Sequence, residues 1–267
     1  MIPVVVFFSP SGGIGTTTLA YHLAWSIADL GVRVLAADLD PQAALSRAFL
    51  DDDRLEEVWA QQGDVRPEEI NGYLSLLPGE PVISRFEADP SEWAKLRAAA
   101  EHSDAKLILV DLGPNLSLVN QAAVRAADFV VIPVAPDLFS VQCLHRLGTA
   151  IRSWRSDWDR AGYVVLQHTL RLDGPVQCLS KWTARIPLEY AHSITMQEPR
   201  PADRIGVLKD YGLLLPMARE ARKPIFHLKP ADGAMGAYLT GAHAAGKEFQ
   251  AIARELLTRI GLGEHIA

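Results

Sequence analysis

Short continuous apolar runs alternate along this chain with stretches in which apolar residues return every three or four positions. The first run is "VVVFF" (Val4–Phe8). Such an unbroken run suits a parallel strand covered on both faces. Leu19, Leu23, Ile27 and Leu30 then recur at helical spacing, and Gly31 follows as a stop. "VRVLAAD" (32–38), "KLILVD" (Lys106–Asp111), "DFVVIPV" (Asp128–Val134) and "YVVLQ" (Tyr163–Gln167) are the next strands expected. Helices are expected between them, notably over Ser117–Ala127 and Leu138–Trp154. The alternation predicts the α/β class: a single doubly wound, mostly parallel sheet with helices on both faces.

Two regions break the rhythm. Residues 51–105 open on the acidic "DDDRLEE" and hold one further strand candidate, "YLSLLPG". They are read as a variable insertion. Residues 171–230 are irregular and rich in proline. Phe249, Ile252, Ala253, Leu256, Leu257 and Ile260 then form the apolar stripe of a closing helix, ended by Gly261. Its polar positions mix Lys247, Arg254 and Arg259 with Glu248 and Glu255, so it is expected to pack on the sheet and not to anchor in a membrane.

Composition supports one domain over residues 1–267: 49% of positions are apolar and 22% charged. No run approaches the roughly 18 apolar residues of a membrane span. "MIPVVVFF" has no basic leader and reads as a first strand, not a signal peptide. Cys143 and Cys178 are the only cysteines, which suits a reducing cytoplasm. The net charge of −6 is uneven. Arg171–Pro230 carries ten Lys/Arg against six Asp/Glu, a net +4 that leaves −10 elsewhere. Such a basic segment is either a nucleic-acid or partner face or an ordinary solvated surface.

The chemistry starts at "SGGIGTTT" (Ser11–Thr18), directly after the first strand. Gly12, Gly13 and Gly15 let main-chain N–H groups approach an anion, and a helix starting near Thr16 aims its positive end there. Thr17 holds the place of a Mg²⁺-binding hydroxyl. Two nucleotide patterns compete. The dinucleotide fingerprint G-x-G-x-x-G fits Gly13 and Gly15 but meets Thr18 in place of its third glycine. The strict phosphate loop G-x-x-x-x-G-K-[ST] fails at Pro10 and Thr16. Beyond the loop, strand two ends in "DLDPQ" (Asp38, Asp40, Pro41, Gln42) and strand three in Asp111. Carboxylates at such strand ends face the ligand crevice, where they can hold Mg²⁺ or orient a water.

With these motifs the chain resembles the ParA/MinD family of deviant Walker-A ATPases. That family's loop, [KR]-G-G-x-G-K-[ST]-T, is matched from Ser11 through Gly12, Gly13, Ile14, Gly15, Thr16 and Thr17 to Thr18, except at its two lysine positions. Its D-x-D-P-Q motif is matched by Asp38–Gln42, and its D-x-x-P by Asp111 and Pro114. "VVIPVAPDLFSVQCL" resembles its next strand and helix, with Asp137 where the family usually has Glu. "EARKPIF" resembles the approach to its closing helix.

The resemblance implies that ATP and Mg²⁺ are the cofactors. Asp40 would position the attacking water, Thr17 would bind the metal directly, and Asp38 and Asp111 would bind it through water. Gln167 would either stand near the base or pack in the core with a polar tip. It also implies an ATP-dependent homodimer whose nucleotide state switches affinity for DNA or a ParB-like regulatory partner. Nonspecific DNA would contact Arg171, Arg185, Arg200, Arg204, Arg219, Arg222 and Lys223. The location implied is cytoplasmic, at the nucleoid if DNA is bound.

Both family lysines are missing: Ser11 and Thr16 stand in their places, and no lysine occurs before Lys95. A hydrogen bond to a charged group is worth about 1.5–3 kcal/mol, so each loss corresponds to roughly 10- to 150-fold in affinity or rate. Main-chain amides, Thr17 and Mg²⁺ can still seat a ground-state triphosphate, whereas a fixed cation counts most in the transition state. The expectation is ATP binding with weak or absent hydrolysis. Two alternatives remain: a non-hydrolysing scaffold of a cellulose-type secretion complex, whose family branch includes loops with Thr here, and an NAD(P)-dependent oxidoreductase, which Asp40–Gln42 and Asp111 argue against.

Overall fold

The computed structural model describes residues 1–10, 12–60, 66–79, 92–134, 147–154, 161–166, 204–209 and 211–265. Eight strands form one sheet: β1 (Val4–Phe7), β2 (Val34–Leu39), β3 (Glu68–Asn71), β4 (Leu74–Leu77), β5 (Leu107–Leu112), β6 (Phe129–Val134), β7 (Ala161–Leu166) and β8 (Arg204–Leu208). Their order is β3-β4-β2-β5-β1-β6-β7-β8. Only the edge pair β3–β4 is antiparallel. The doubly wound, mostly parallel sheet expected from the sequence is therefore present.

The helices are α1 (Thr16–Asp29), α2 (Ala44–Phe49), α3 (Asp52–Ala60), α4 (Glu92–His102), α5 (Leu118–Ala126), α6 (Leu215–Ala221) and α7 (Ala237–Arg259). Residues 147–154 are also helical. They make two cores, one on each face of the sheet. Val5 and Phe7 of β1 join Leu19, Leu23 and Ile27 of α1 and Phe249, Ile252 and Leu256 of α7. Val4, Val6 and Phe8 face the other way, onto Leu96 and Ala100 of α4, Val119 and Ala123 of α5, and Leu147 and Ile151. Strand alternation makes the division, and burial of each such large side chain contributes about 1.5–3 kcal/mol. Gly31, at φ 79, ends α1 with the N–H of Val32 turned back to the carbonyl of Ile27. A left-handed residue there is cheap only for glycine.

"YLSLLPG" does supply a strand, β4, parallel to β2. The insertion thus extends the sheet, and β3 adds the antiparallel edge. Neither β3 nor β8 was expected. Both are short edge strands, and β8 carries Gly206 at its centre, so their period-two signal is weak. Among the described residues, no helix is long and apolar enough to cross a membrane.

The connection after β1 runs toward β2, while that after β5 runs the opposite way, to β6. Strand directions of this kind open a crevice at the carboxyl ends of β1 and β5. Phe7, Asp111 and Asp38 lie in register there, on three adjacent strands.

Candidate functional site

The loop after β1 is shaped by its glycines. Gly13 has φ 74 and Gly15 φ 97, conformations that L side chains rarely take. Gly15 caps α1, and having no side chain it gives the helix's first amides no capping hydrogen bond. The first bond within the helix runs from the N–H of Leu19 to the carbonyl of Gly15, at 2.8 Å. The amides of Thr16, Thr17 and Thr18 precede it and are left for a ligand. No acidic residue opposes an anion in that turn.

Three carboxylates gather at the strand ends, in different states. Asp38 is held by its neighbours. Its Oδ2 accepts from the N–H and the hydroxyl of Ser46, each at 2.7 Å, and its Oδ1 accepts from the N–H of Asp40 at 3.1 Å. The Ser46 hydroxyl in turn accepts from the N–H of Gly79 at 2.9 Å. Asp38 therefore ties β2 to α2 and to the residue pair after β4. Burial pushes its pKa up to about 6, against those three hydrogen bonds.

Asp40 is oriented by its own turn. Its Oδ1 accepts from the N–H of Gln42 at 3.0 Å, and its carbonyl accepts from the N–H of Ala43 at 2.8 Å. Gly113 lies against it: a Cβ there would stand 2.9 Å from Asp40 Oδ1.

Asp111 is fully buried, and neither of its oxygens has a hydrogen-bond partner among the described residues. Burial first, then the neighbouring Asp38 charge, raises its pKa well above the carboxylate range. The Thr17 hydroxyl lies near enough to offset part of that rise. An orphaned, buried carboxylate beside a threonine hydroxyl is a donor set that fits a hard divalent cation such as Mg²⁺. Among the described residues no three His, Cys, Asp or Glu side chains converge as a metal cage. Mg²⁺ sites of this type take one or two carboxylates, with substrate phosphates and water completing the shell.

The loop and Asp40 open onto one cleft of about 570 Å³. Gly12, Gly13, Gly15 and Thr16–Thr18 line it, as do Asp40 and Pro114. The same lining includes cations: Arg47 of α2, and Arg219 and Lys223 from α6 and its C-terminal turn. Arg47 is engaged, 2.8 Å from Asp52 and over the ring of Trp59.

His22 joins the loop's helix to the segment that follows Lys223. Its Nδ1 lies 2.7 Å from the carbonyl of Thr18, and its Nε2 accepts from the N–H of Ile225 at 3.1 Å. Those partners require the neutral ring with its proton on Nδ1. Burial lowers its pKa to about 4. The ring stacks on Phe249 with centroids 4.8 Å apart. A second tie, His227 Nε2 to Asp29 at 2.7 Å, lies nearby.

The structure thus brings Gly12, Gly13, Gly15, Thr16, Thr17, Thr18 and Asp40 together on the cleft, with Asp111 buried behind. Ile14 is part of the loop but not of the cleft wall. Of the basic residues expected on a DNA face, Arg219 and Lys223 line this cleft, Arg222 caps α6 at φ 48, and Arg204 opens β8. Ser11, Gln167, Arg171, Arg185 and Arg200 lie outside the described residues, as does Asp137. Sequence reasoning missed Arg47, His22 and Ser46. His22 and Ser26 had a signal: both are polar residues on the helical stripe of Leu19 and Leu23, and both are buried. The cations carried no local signal, because long-range packing alone decides which of them meets the loop.

Fold and cleft together define a nucleotide-binding α/β protein. The chain belongs to the family described as CobQ/CobB/MinD/ParA nucleotide binding domain, whose model matches residues 5–260. It is similar to a probable plasmid-partitioning protein ParA of Thermus thermophilus, 26% identical over 280 residues, covering 96% of this chain and 79% of the relative. Among solved structures it resembles the MinC:MinD cell division protein complex of Aquifex aeolicus, with a TM-score of 0.70, 22% identity and 96% of each chain covered. A plasmid partition protein of Borrelia burgdorferi bound to AMPPNP is also similar, with a TM-score of 0.66, 17% identity, and 97% and 100% of the two chains covered.

Proposed function

We propose that the protein is a ParA-like switch that binds ATP with Mg²⁺, dimerises in that state, and serves plasmid or chromosome partition or cellular positioning in the cytoplasm. One observation carries this reading. A glycine loop with an uncapped helix end shares a single cleft with Asp40, and the unpartnered Asp111 lies behind it. The relatives named for plasmid partition and the AMPPNP held by a structural neighbour support the same assignment.

In this reading the amides of Gly13–Thr18 surround the phosphates. Thr17 and Asp111 hold Mg²⁺, which would neutralise phosphate charge. Asp38 sets the geometry of the strand end through Ser46, and Asp40 orients the attacking water. Gln167 stands near the base. Leu116 and Leu118 are exposed beside Pro114 and offer the dimer an apolar contact. DNA is a further partner through Arg171, Arg185, Arg200, Arg204 and Arg222, with affinity falling steeply as salt rises. A gel shift at low salt tests that contact. A ParB-like protein is the regulatory partner.

Turnover is slow or absent, because Thr16 puts no cation on the loop where transition-state charge develops. Phosphate release should be near zero in the native protein and rise in Thr16→Lys. Equal rates in the two proteins would refute the impaired-turnover reading. Thr16 also favours a second reading, a non-hydrolysing scaffold in a cellulose-type secretion complex. It predicts tight ATP binding with no DNA retention at any salt concentration.

A further inference from the structure

We infer that the phosphate-binding charge missing from the loop is supplied from elsewhere in the cleft lining, by Arg219 and Lys223. The inference rests on the nucleotide reading above and names the residues that grip the polyphosphate.

Four observations carry it. First, the loop presents main-chain amides and hydroxyls but no cation: Thr16 occupies the position after its last glycine. A triphosphate carries several negative charges, which amide dipoles and one divalent ion leave partly unopposed. Second, Leu215, Ala218 and Arg219 all line the same cleft as the loop. They are spaced i, i+3 and i+4 on α6, so one face of that helix looks into the cleft. Lys223 lines it from the turn that follows.

Third, both side chains can reach a ligand. Arg219 is exposed and pairs with no carboxylate among the described residues. Lys223 Nζ lies 2.7 Å from Asp232, but its side chain keeps 42% of its accessibility. Asp232 keeps only 12% of its own accessibility, but the ammonium has three N–H donors and can keep that partner while adding a charge-assisted bond to phosphate, worth about 1.5–3 kcal/mol. A phosphate can therefore recruit the lysine. Arg47 is a third cation on the cleft, paired with the exposed Asp52 and lying over Trp59 at the α2–α3 corner.

Fourth, the cation-bearing segment is fastened to the loop's own helix. Ile225, two residues beyond Lys223, donates its N–H to His22, which also contacts the Thr18 carbonyl in the first turn of α1. The ring's stacking on Phe249 fixes its plane. The loop's helix and the cation-bearing segment are thus tied together, and the charge is placed before the ligand arrives.

This arrangement agrees with slow turnover. Cations on long side chains from a separate segment of the cleft lining can hold ground-state phosphates without being aimed at the transferring group. A loop lysine does both.

Calorimetric titration of the full chain with ATP, ADP and AMP in excess Mg²⁺ tests the inference. The proteins are wild type, Arg219→Gln, Lys223→Gln and the double variant, with Arg254→Gln on an exposed face of α7 as control. Matching melting temperatures establish that each variant is folded. Each single cleft variant should weaken ATP binding roughly 10- to 150-fold. AMP binding should change several-fold at most, and the control not at all. Adding Thr16→Lys to the double variant should restore much of the lost ATP affinity. If the double variant binds ATP like wild type, or loses ATP and AMP equally, the inference is overturned while nucleotide binding stands. If wild type binds no nucleotide at millimolar concentration, the underlying reading fails instead.

Discussion

Ile225 donates its main-chain N–H to Nε2 of His22 at 3.1 Å, across 203 positions of sequence. The bond joins the first helix of the phosphate loop to the segment that returns before α7. It exists only while Nε2 keeps its lone pair. Its strength therefore depends on the ring staying neutral, and burial ensures that by lowering the pKa from 6.5 to about 4.

Acid should accordingly loosen this joint. In the unfolded chain His22 takes up its proton near pH 6.5, while in the folded chain it does so only near 4. The unfolded state thus binds more protons between those values, and stability falls as pH drops through the window. Full stabilisation is present above 6.5, and at most about 3 kcal/mol is lost by the lower limit. Asp38 and Asp111 act oppositely: their raised pKa values favour the folded state as acid protonates them. The readout is therefore a difference. Urea midpoints measured from pH 7.5 to 4 should fall more steeply for wild type than for His22→Gln. Parallel curves would remove His22 as the cause.

Asp111 is buried with no hydrogen-bond partner among the described residues beyond the nearby Thr17 hydroxyl, a costly arrangement for an ionised carboxylate when no cation accompanies it. Asp111→Asn should raise the melting temperature of the nucleotide-free protein at pH 8, where the wild-type carboxylate is most heavily penalised. The same variant should lose the extra stabilisation that ATP with Mg²⁺ gives wild type. Thermal melts with and without MgATP measure both. A variant less stable than wild type when nucleotide-free would show that Asp111 has a structural partner.

Ser46 is a joint between three segments. Its hydroxyl donates to Asp38 and accepts from Gly79, while Trp59 Nε1 donates to the Gly79 carbonyl at 2.6 Å. Ser46→Ala leaves the Gly79 N–H and one acceptor site on Asp38 unsatisfied in a buried place, at about 1–3 kcal/mol. Chemical denaturation should report that loss. Ser46→Cys, a poorer hydrogen-bonding group of similar shape, should fall between alanine and wild type.

The architecture was largely legible in the chain because its signals are local. Val4–Phe7 is a strand by its unbroken run, α1 a helix by Leu19, Leu23 and Ile27, and the loop a phosphate cradle by glycines that do take positive φ at 13 and 15. β3 and β8 were illegible because a short edge strand is defined by its neighbour more than by its own period. The same division holds in the site. Asp38, Asp40 and Asp111 are marked by sitting at strand ends, but nothing local says that Asp38 is fully hydrogen-bonded while Asp111 has no partner. That difference depends on Ser46, eight residues further on. Arg219 and Lys223 read as part of a diffuse basic stretch, and only the packing of α6 beside the loop turns them toward the cleft.

Gly113 gives the most direct test of Asp40. The glycine has no positive φ among the described backbone outliers, so the conformation itself tolerates a side chain. What forbids one is contact. A Cβ would stand 2.9 Å from Asp40 Oδ1 and 3.3 Å from Pro41 Cδ. Pro41 is fixed in its ring and Gln42 holds Oδ1 through its N–H, so relief must come from moving the carboxylate. Overpacking of this kind costs about 1–3 kcal/mol, which leaves the fold intact if the rest of the domain is ordinarily stable. The displaced carboxylate would no longer aim at the cleft as it does now. Gly113→Ala should keep ATP affinity within a few-fold of its parent, because the loop amides are untouched. In a Thr16→Lys background, where turnover is expected to be measurable, phosphate release should fall about 100-fold, the usual effect of a reacting group misplaced by an ångström. Unchanged release would mean that Asp40 does not act on the attacking water.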